Sequence, residues 1–205
     1  LAHIPDGVLS VPVLATGGVM AVAGIGFAVR RLEERDIPRV AILSAAFFAL
    51  SLVAIPAGPA TIHLLLGGLM GLILGPSVFL AVFAALLLQS VMFGFGGLTT
   101  LGVNTFNIAV PGWLCGLLLR PAIASADTGK AAMLAGIGSA LAVLATGGLV
   151  ALALYWSSPD YAVSAKIMSA TYLPLAIMEG LVAGFCVSFV KRVKPELLHL
   201  RTGDA

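Results

Sequence analysis

The chain has 205 residues, 60% of them apolar and 10% charged, and its mean hydropathy is +1.11. That composition excludes a water-soluble globule. A formal net charge of +2, with no run of basic residues longer than two, also excludes a nucleic-acid surface, which needs clustered cations to hold phosphates.

A helix that crosses a bilayer needs about 20 predominantly apolar residues. Breaking the chain at charges, prolines and glycine clusters leaves apolar stretches at about 9–29, 40–56, 59–75, 77–94, 104–119, 131–156 and 171–190. The expectation is an all-α integral membrane protein with seven transmembrane helices in one domain, residues 1–205. Residues 1–8 form a leading tail and 191–205 a trailing one. Nothing basic precedes the first stretch and its arginines follow it, the reverse of a secretory signal, so it is expected to stay in the mature protein. The weakest boundary is Gly75-Pro76, where one long tilted span is the rival reading.

Basic residues decide that boundary, because loops kept in the cytoplasm carry Lys and Arg. Arg30, Arg31, Arg35 and Arg39 follow the first stretch, Arg120 and Lys130 the fifth, and Lys191, Arg192, Lys194 and Arg201 the seventh. Seven spans place all of these inside and only Lys166 outside, with the N-terminus out and the C-terminus cytoplasmic. The outer segments are then Leu1 to Gly7, Ala57 to Ile62, the glycine-rich Gly94 to Val103 and the polar stretch Ser157 to Ser169. His3 and His63 both fall at the outer face.

His63 opens the third stretch, with Gly67, Gly71 and Gly75 following at intervals of four, so all four are expected near one face of a helix packed against its neighbours. A histidine near a free terminal amine can chelate: amine, intervening deprotonated amides and imidazole close small rings around one ion, a nitrogen set that suits Ni(II) or Cu(II) and releases protons on binding. With His3 third, the amine of Leu1 and the tail's own nitrogens complete four ligands; with His3 second, behind the amine of Ala2, there are three and His63 is placed to be the fourth. Pro5 and Gly7 encode a turn that would fold the tail back. Gln89, Asn104 and Asn107 are neutral polar groups inside spans, with Asn104 at the depth of His63 and able to orient a ligand. Glu179 is the carboxylate near the centre of a span, a costly placement that fits a functional role or a structural hydrogen bond equally.

Other chemistry is set aside. Cys115 and Cys186 lie in apolar stretches as small hydrophobes. Gly138-Ser139-Ala140 lacks the second glycine of a nucleophile elbow, and there is no phosphate loop, no histidine pair on one helix and no cysteine pair at zinc spacing. The chain is therefore no enzyme and cannot hydrolyse ATP; His199 is a solvated tail residue.

His3-Ile4-Pro5-Asp6-Gly7, His63-Leu64-Leu65-Leu66-Gly67-Gly68, Gly75-Pro76 and Gly96-Gly97-Leu98-Thr99-Thr100-Leu101-Gly102-Val103-Asn104 together resemble the CbiM/NikM family over nearly the whole chain. Those are the substrate-binding membrane (S) components of energy-coupling-factor transporters for cobalt and nickel. The resemblance implies a multi-pass protein of the plasma (inner) membrane that captures Ni(II) or Co(II) as its transported ligand, through the terminal amine, a backbone nitrogen, His3 and His63. It implies partners: a membrane-embedded T component, cytoplasmic ATPase subunits and a small accessory membrane subunit. Asn104 and Glu179 match an asparagine and a glutamate-glycine pair of the family. Two departures stand out: the histidine is third where the family commonly has it second, which leaves the amine to Leu1 or Ala2, and Phe95 replaces a polar residue and is expected to ligate nothing. A passive cation channel and an S component for an organic vitamin are the rival classes, and both leave the His3 motif unexplained.

Overall fold

The computed structural model of the chain describes residues 3–53, 55–57, 60–195 and 198. Leu1, Ala2 and His199 lie outside them. Among the described residues the helices are α1 (Val11–Arg31), α2 (Ile37–Leu52), α3 (Gly67–Leu74), α4 (Val78–Phe93), α5 (Leu101–Ser125), α6 (Thr128–Ser157) and α7 (Ala162–Val193). One small antiparallel hairpin joins α2 to α3: β1 (Ile55–Ala57) pairs with β2 (Ala60–Ile62), Ile55 opposite Ile62.

Local chemistry sets the ends. Pro12 and Pro38 sit in the first turns of α1 and α2, where a missing N–H costs nothing. Asp127 caps α6 by accepting the Lys130 N–H at 2.9 Å. Gly94 closes α4 at φ +65°, a left-handed position that glycine adopts freely.

Among the described residues five helical stretches are long and apolar enough to cross a membrane: Val11–Arg31, Gly67–Phe93, Leu101–Ser125, Thr128–Ser157 and Thr171–Val193. Large apolar side chains such as Val19, Leu118, Leu141 and Phe185 are exposed around them, as a lipid-facing surface requires. The chain is thus a helical, multi-pass membrane protein.

Gly67–Phe93 is not one rod. Ser44 Oγ donates to the Ala81 carbonyl at 2.9 Å and Gln89 Nε2 donates to Ser51 Oγ, so α2 and α4 run side by side in the same direction. On α3, Gly67 and Gly71 lie against Gly112 and Gly116 in that order, so α3 runs parallel to α5. The end of α4 leads through a short loop to the start of α5, with Gly96 beside Asn104. The chain therefore reverses between α3 and α4, at Gly75-Pro76-Ser77.

Close helix contact comes from residues without side chains. A methyl group placed on Gly71 would lie 1.7 Å from the Gly112 carbonyl oxygen, and one on Gly116 2.0 Å from that of Gly71. The backbones of α3 and α5 thus touch along a glycine seam, the close approach that membrane helices use where lipid supplies no hydrophobic drive. Gly136 and Gly180 make a looser seam between α6 and α7.

Two expectations are corrected. The third stretch is not helical at its start: Ala60–Ile62, with β-branched Thr61 and Ile62 following two prolines in the sequence, pairs as a strand with Ile55–Ala57, and helix begins only at Gly67. His63 therefore lies before α3, not on the face that carries Gly67 and Gly71. The polar stretch Ser157 to Ser169 is not all loop either, because α7 starts at Ala162 and the connection shrinks to Ser158–Tyr161.

Candidate metal centre

The tail is docked by hydrogen bonds to its backbone. Ile4 N–H donates to Asn104 Oδ1 at 3.0 Å, and Asn104 Nδ2 donates back to the Ile4 carbonyl at 3.0 Å. One amide side chain so satisfies both backbone groups of one residue, as a strand neighbour would. Thr100 Oγ1 donates to the same carbonyl at 2.8 Å. The Ile4 side chain is buried beneath.

Asp6 supplies a second anchor. Its carboxylate accepts the N–H groups of Leu98, Thr99 and Thr100 at 3.2, 3.0 and 3.2 Å, and the Thr99 hydroxyl. These donors lead into the N-terminus of α5, where an anion is favoured. Hydrogen bonding, with the Thr99 hydroxyl the strongest cause, holds the Asp6 carboxyl below its usual range. Gly97 is needed here, since a methyl group on it would fall 2.0 Å from the Asp6 carboxyl. After Asp6 the chain turns at Gly7, φ +81°.

These anchors deliver His3 to the interior, where it is 5% exposed; His63, 7% exposed, is close enough to act on its charge. Burial first, then the positive charge of the chain terminus and then His63, push the His3 imidazole down to about 4, with the Gln89 side chain acting in the opposite sense. His3 is therefore neutral at physiological pH, the form that binds metal. Its Nδ1 is buried and has no hydrogen-bond partner among the described residues.

His63 is held by its other nitrogen. Nδ1 lies 2.8 Å from the Ser51 carbonyl, which can only accept, so the proton sits on Nδ1 and Nε2 carries the lone pair. A backbone carbonyl that orients an imidazole in this way is the usual partner of a ligating histidine. Ser51 also receives Gln89 Nε2, and Gln89 Oε1 is a further buried oxygen without a partner among the described residues.

Beneath His63, Glu179 on α7 reaches across the bundle. Its Oε1 accepts the Leu66 N–H at 2.8 Å and the Leu65 N–H as well. α3 has no side-chain cap of its own, and the residue before it, Leu66, stands at φ +51°. The carboxylate takes the place of that cap.

The structure thus brings His3, His63 and Asn104 to one end of the molecule, with Glu179 under the segment that carries His63. Leu1 and Ala2, the expected amine donors, fall outside the described residues. Among the described residues no three His, Cys, Asp or Glu side chains form a metal-binding group. Two imidazoles alone leave the coordination shell of a transition metal incomplete. Asp6, Thr100 and Ser51 were not singled out as site residues by the sequence, and Gln89 only as a neutral polar group inside a span. Asp6 lies inside the turn motif, which accounts for it without a contact to the loop; Ser51 had no signal. Phe95 stacks on Phe93 with ring centroids 5.9 Å apart.

Residues 3–197 match the family CbiM, described as the cobalt uptake substrate-specific transmembrane region. A relative from Haemophilus influenzae, named for metal transport, is 35% identical over 201 residues, covering 96% of this chain and 97% of its own. The fused nickel transport protein NikMN of Rhodobacter capsulatus is 31% identical over 236 residues, covering 99% of this chain and 65% of the fused one. A crystal structure of a transition metal transporter superposes with a TM-score of 0.72 at 27% identity, covering 93% of both chains.

Proposed function

Because the chain belongs to the CbiM family of cobalt uptake substrate-specific transmembrane proteins, we propose that it captures Ni(II) or Co(II) through His3, His63 and nitrogens of its own tail. The chain is a membrane component of cobalt or nickel uptake, of a transport family and not an enzyme family.

The observation that carries the metal site is the docked tail. Asn104 seats Ile4, and the adjacent His3 enters beside His63 with a neutral ring and an unengaged Nδ1. His3 contributes Nδ1 and its backbone nitrogen, His63 contributes Nε2, and the amine of Ala2 completes the set once Leu1 is removed; with Leu1 in place the tail alone would supply four nitrogens. Four nitrogens in a plane suit Ni(II) best and admit Co(II). Binding releases the protons of amine and amide.

The same reading has seven membrane-crossing segments, with α3 and the residues before it as one. The His3 end faces outside, and the end that carries Arg30, Arg31, Lys130 and Lys191 faces the cytoplasm. Import is driven by separate ATPase subunits through a membrane-embedded T component.

The terminal amine gives the test, because no side-chain variant can remove it. Acetylating the mature terminus takes away the amine's lone pair while His3 and His63 stay in place. Nickel titration is expected to show binding abolished, at an unchanged thermal midpoint without metal. Normal binding by the blocked protein would remove the amine from the ligand set.

A further inference from the structure

Glu179 is 1% exposed, and it is the one fully buried carboxylate among the described residues. It sits on α7, yet what it holds is the backbone two and three residues beyond His63, through Oε1 and the N–H groups of Leu65 and Leu66. We propose that Glu179 is the positioning residue of the metal site: it fixes the segment from His63 to Leu66 so that Nε2 of His63 meets the ion held by the tail. The inference rests on the assignment of His63 as a ligand.

Three observations support it. The segment is tethered at its two ends by different parts of the molecule, His63 by the Ser51 carbonyl at the end of α2 and Leu65 and Leu66 by Glu179 on α7. Between those tethers lies Leu64 alone, so the position of the imidazole is set by both. Leu66 stands at φ +51°, where a leucine stays only if its surroundings hold it there. The segment's other support is rigid, because α3 is fixed against α5 by the glycine seam and at its far end by Arg120 Nε, which donates to the Leu72 carbonyl at 2.8 Å. The joint between rigid helix and ligand is where Glu179 acts.

The carboxylate also lies at the N-terminal end of α3, which carries partial positive charge and points towards the site. Geometry and charge can be separated by substitution. A glutamine keeps an oxygen at the same reach, able to accept both N–H groups, but has no charge. An aspartate keeps the charge and falls short by one methylene, about 1.5 Å.

The experiment is Ni(II) titration and Co(II) absorption spectroscopy on the full-length, detergent-purified chain with its native terminus, comparing Glu179→Gln, Glu179→Asp and Glu179→Ala with the parent and His63→Ala. Positioning predicts that Glu179→Asp and Glu179→Ala lose about ten- to a hundredfold in affinity and alter the Co(II) ligand-field bands. Glu179→Gln stays within about threefold of the parent, with parental bands, because its hydrogen bonds survive. A glutamine variant as weak as the alanine one overturns the positioning role, as does an aspartate or alanine variant with parental affinity and spectrum. If Glu179→Ala does not fold, the glutamine and aspartate pair decides alone. A parent that binds neither metal, or a His63→Ala variant that binds like the parent, overturns instead the metal-site reading beneath.

Discussion

The glycine seam between α3 and α5 and the cap formed by the tail over the α4–α5 loop are built on opposite principles. In the seam, backbones meet without side chains between them, and the contact is complete in the protein by itself. In the cap, backbone groups of Ile4 and the carboxylate of Asp6 are fully engaged, while His3 Nδ1 and Gln89 Oε1 beneath them are buried with no partner among the described residues. Buried polar atoms are normally paired, and these two lie beside the docked tail, where the proposed ion would engage them; others, such as Thr105 Oγ1 and Ser139 Oγ, lie elsewhere in the bundle. In the proposed reading the seam serves stability and the cap serves binding, and substitutions should separate them.

The largest effect is expected in the seam. Gly71→Ala puts a methyl group 1.7 Å from a backbone oxygen that cannot swing aside. The helices must part, at a cost of about 3 kcal/mol or more. The thermal midpoint should fall sharply with or without metal, and failure to accumulate in the membrane is the extreme form of the same result.

His63→Ala should do the reverse. It removes one ligand and one hydrogen bond to Ser51, a stability cost of about 1 kcal/mol, while nickel affinity in titration should drop by more than about a hundredfold. A variant that loses stability but keeps affinity would place His63 with the seam and not with the cap.

Asn104→Leu is the next step down. It removes both hydrogen bonds to Ile4 and leaves the ligands themselves in place, so affinity should fall about tenfold. Limited proteolysis of the metal-free variant should cut the freed tail faster than in the parent.

The effect that needs no loss of a ligand or anchor is in pH. His3 has its ordinary value of 6.5 when the tail is undocked and about 4 when docked. The undocked form therefore takes up a proton first as pH falls. Docking is fully favoured above about 6.5 and is weakened progressively as pH drops towards about 4. Tail proteolysis without metal should quicken over that window in the parent, and His3→Gln should show no such dependence.

The residues that the sequence revealed and those that it hid differ in range. His3 and His63 were legible because imidazoles are rare in this chain and charge placement put both at one end. Asn104 was legible because it closes the glycine-rich loop. The start of α3 was not, since the residues before Gly67 are as apolar as a helix, and only the prolines and β-branched residues around the hairpin tell against it. The partners of Glu179 were not legible either: they lie 113 and 114 residues away, and a buried carboxylate in a helix names no partner by itself. Asp6 was hidden by its own motif, because Pro-Asp-Gly already explains a turn without any contact to the loop at residues 98–100.

The central claim is that His3 and His63 share one metal ion with nitrogens of the tail. X-ray absorption at the nickel edge on the loaded, purified protein tests it directly. The account predicts a shell of nitrogens at about 2 Å in planar geometry, with scattering from two imidazoles in the parent and from one in any nickel that His63→Ala retains. An oxygen-rich octahedral shell, or the same two-imidazole signal after His63→Ala, would contradict it.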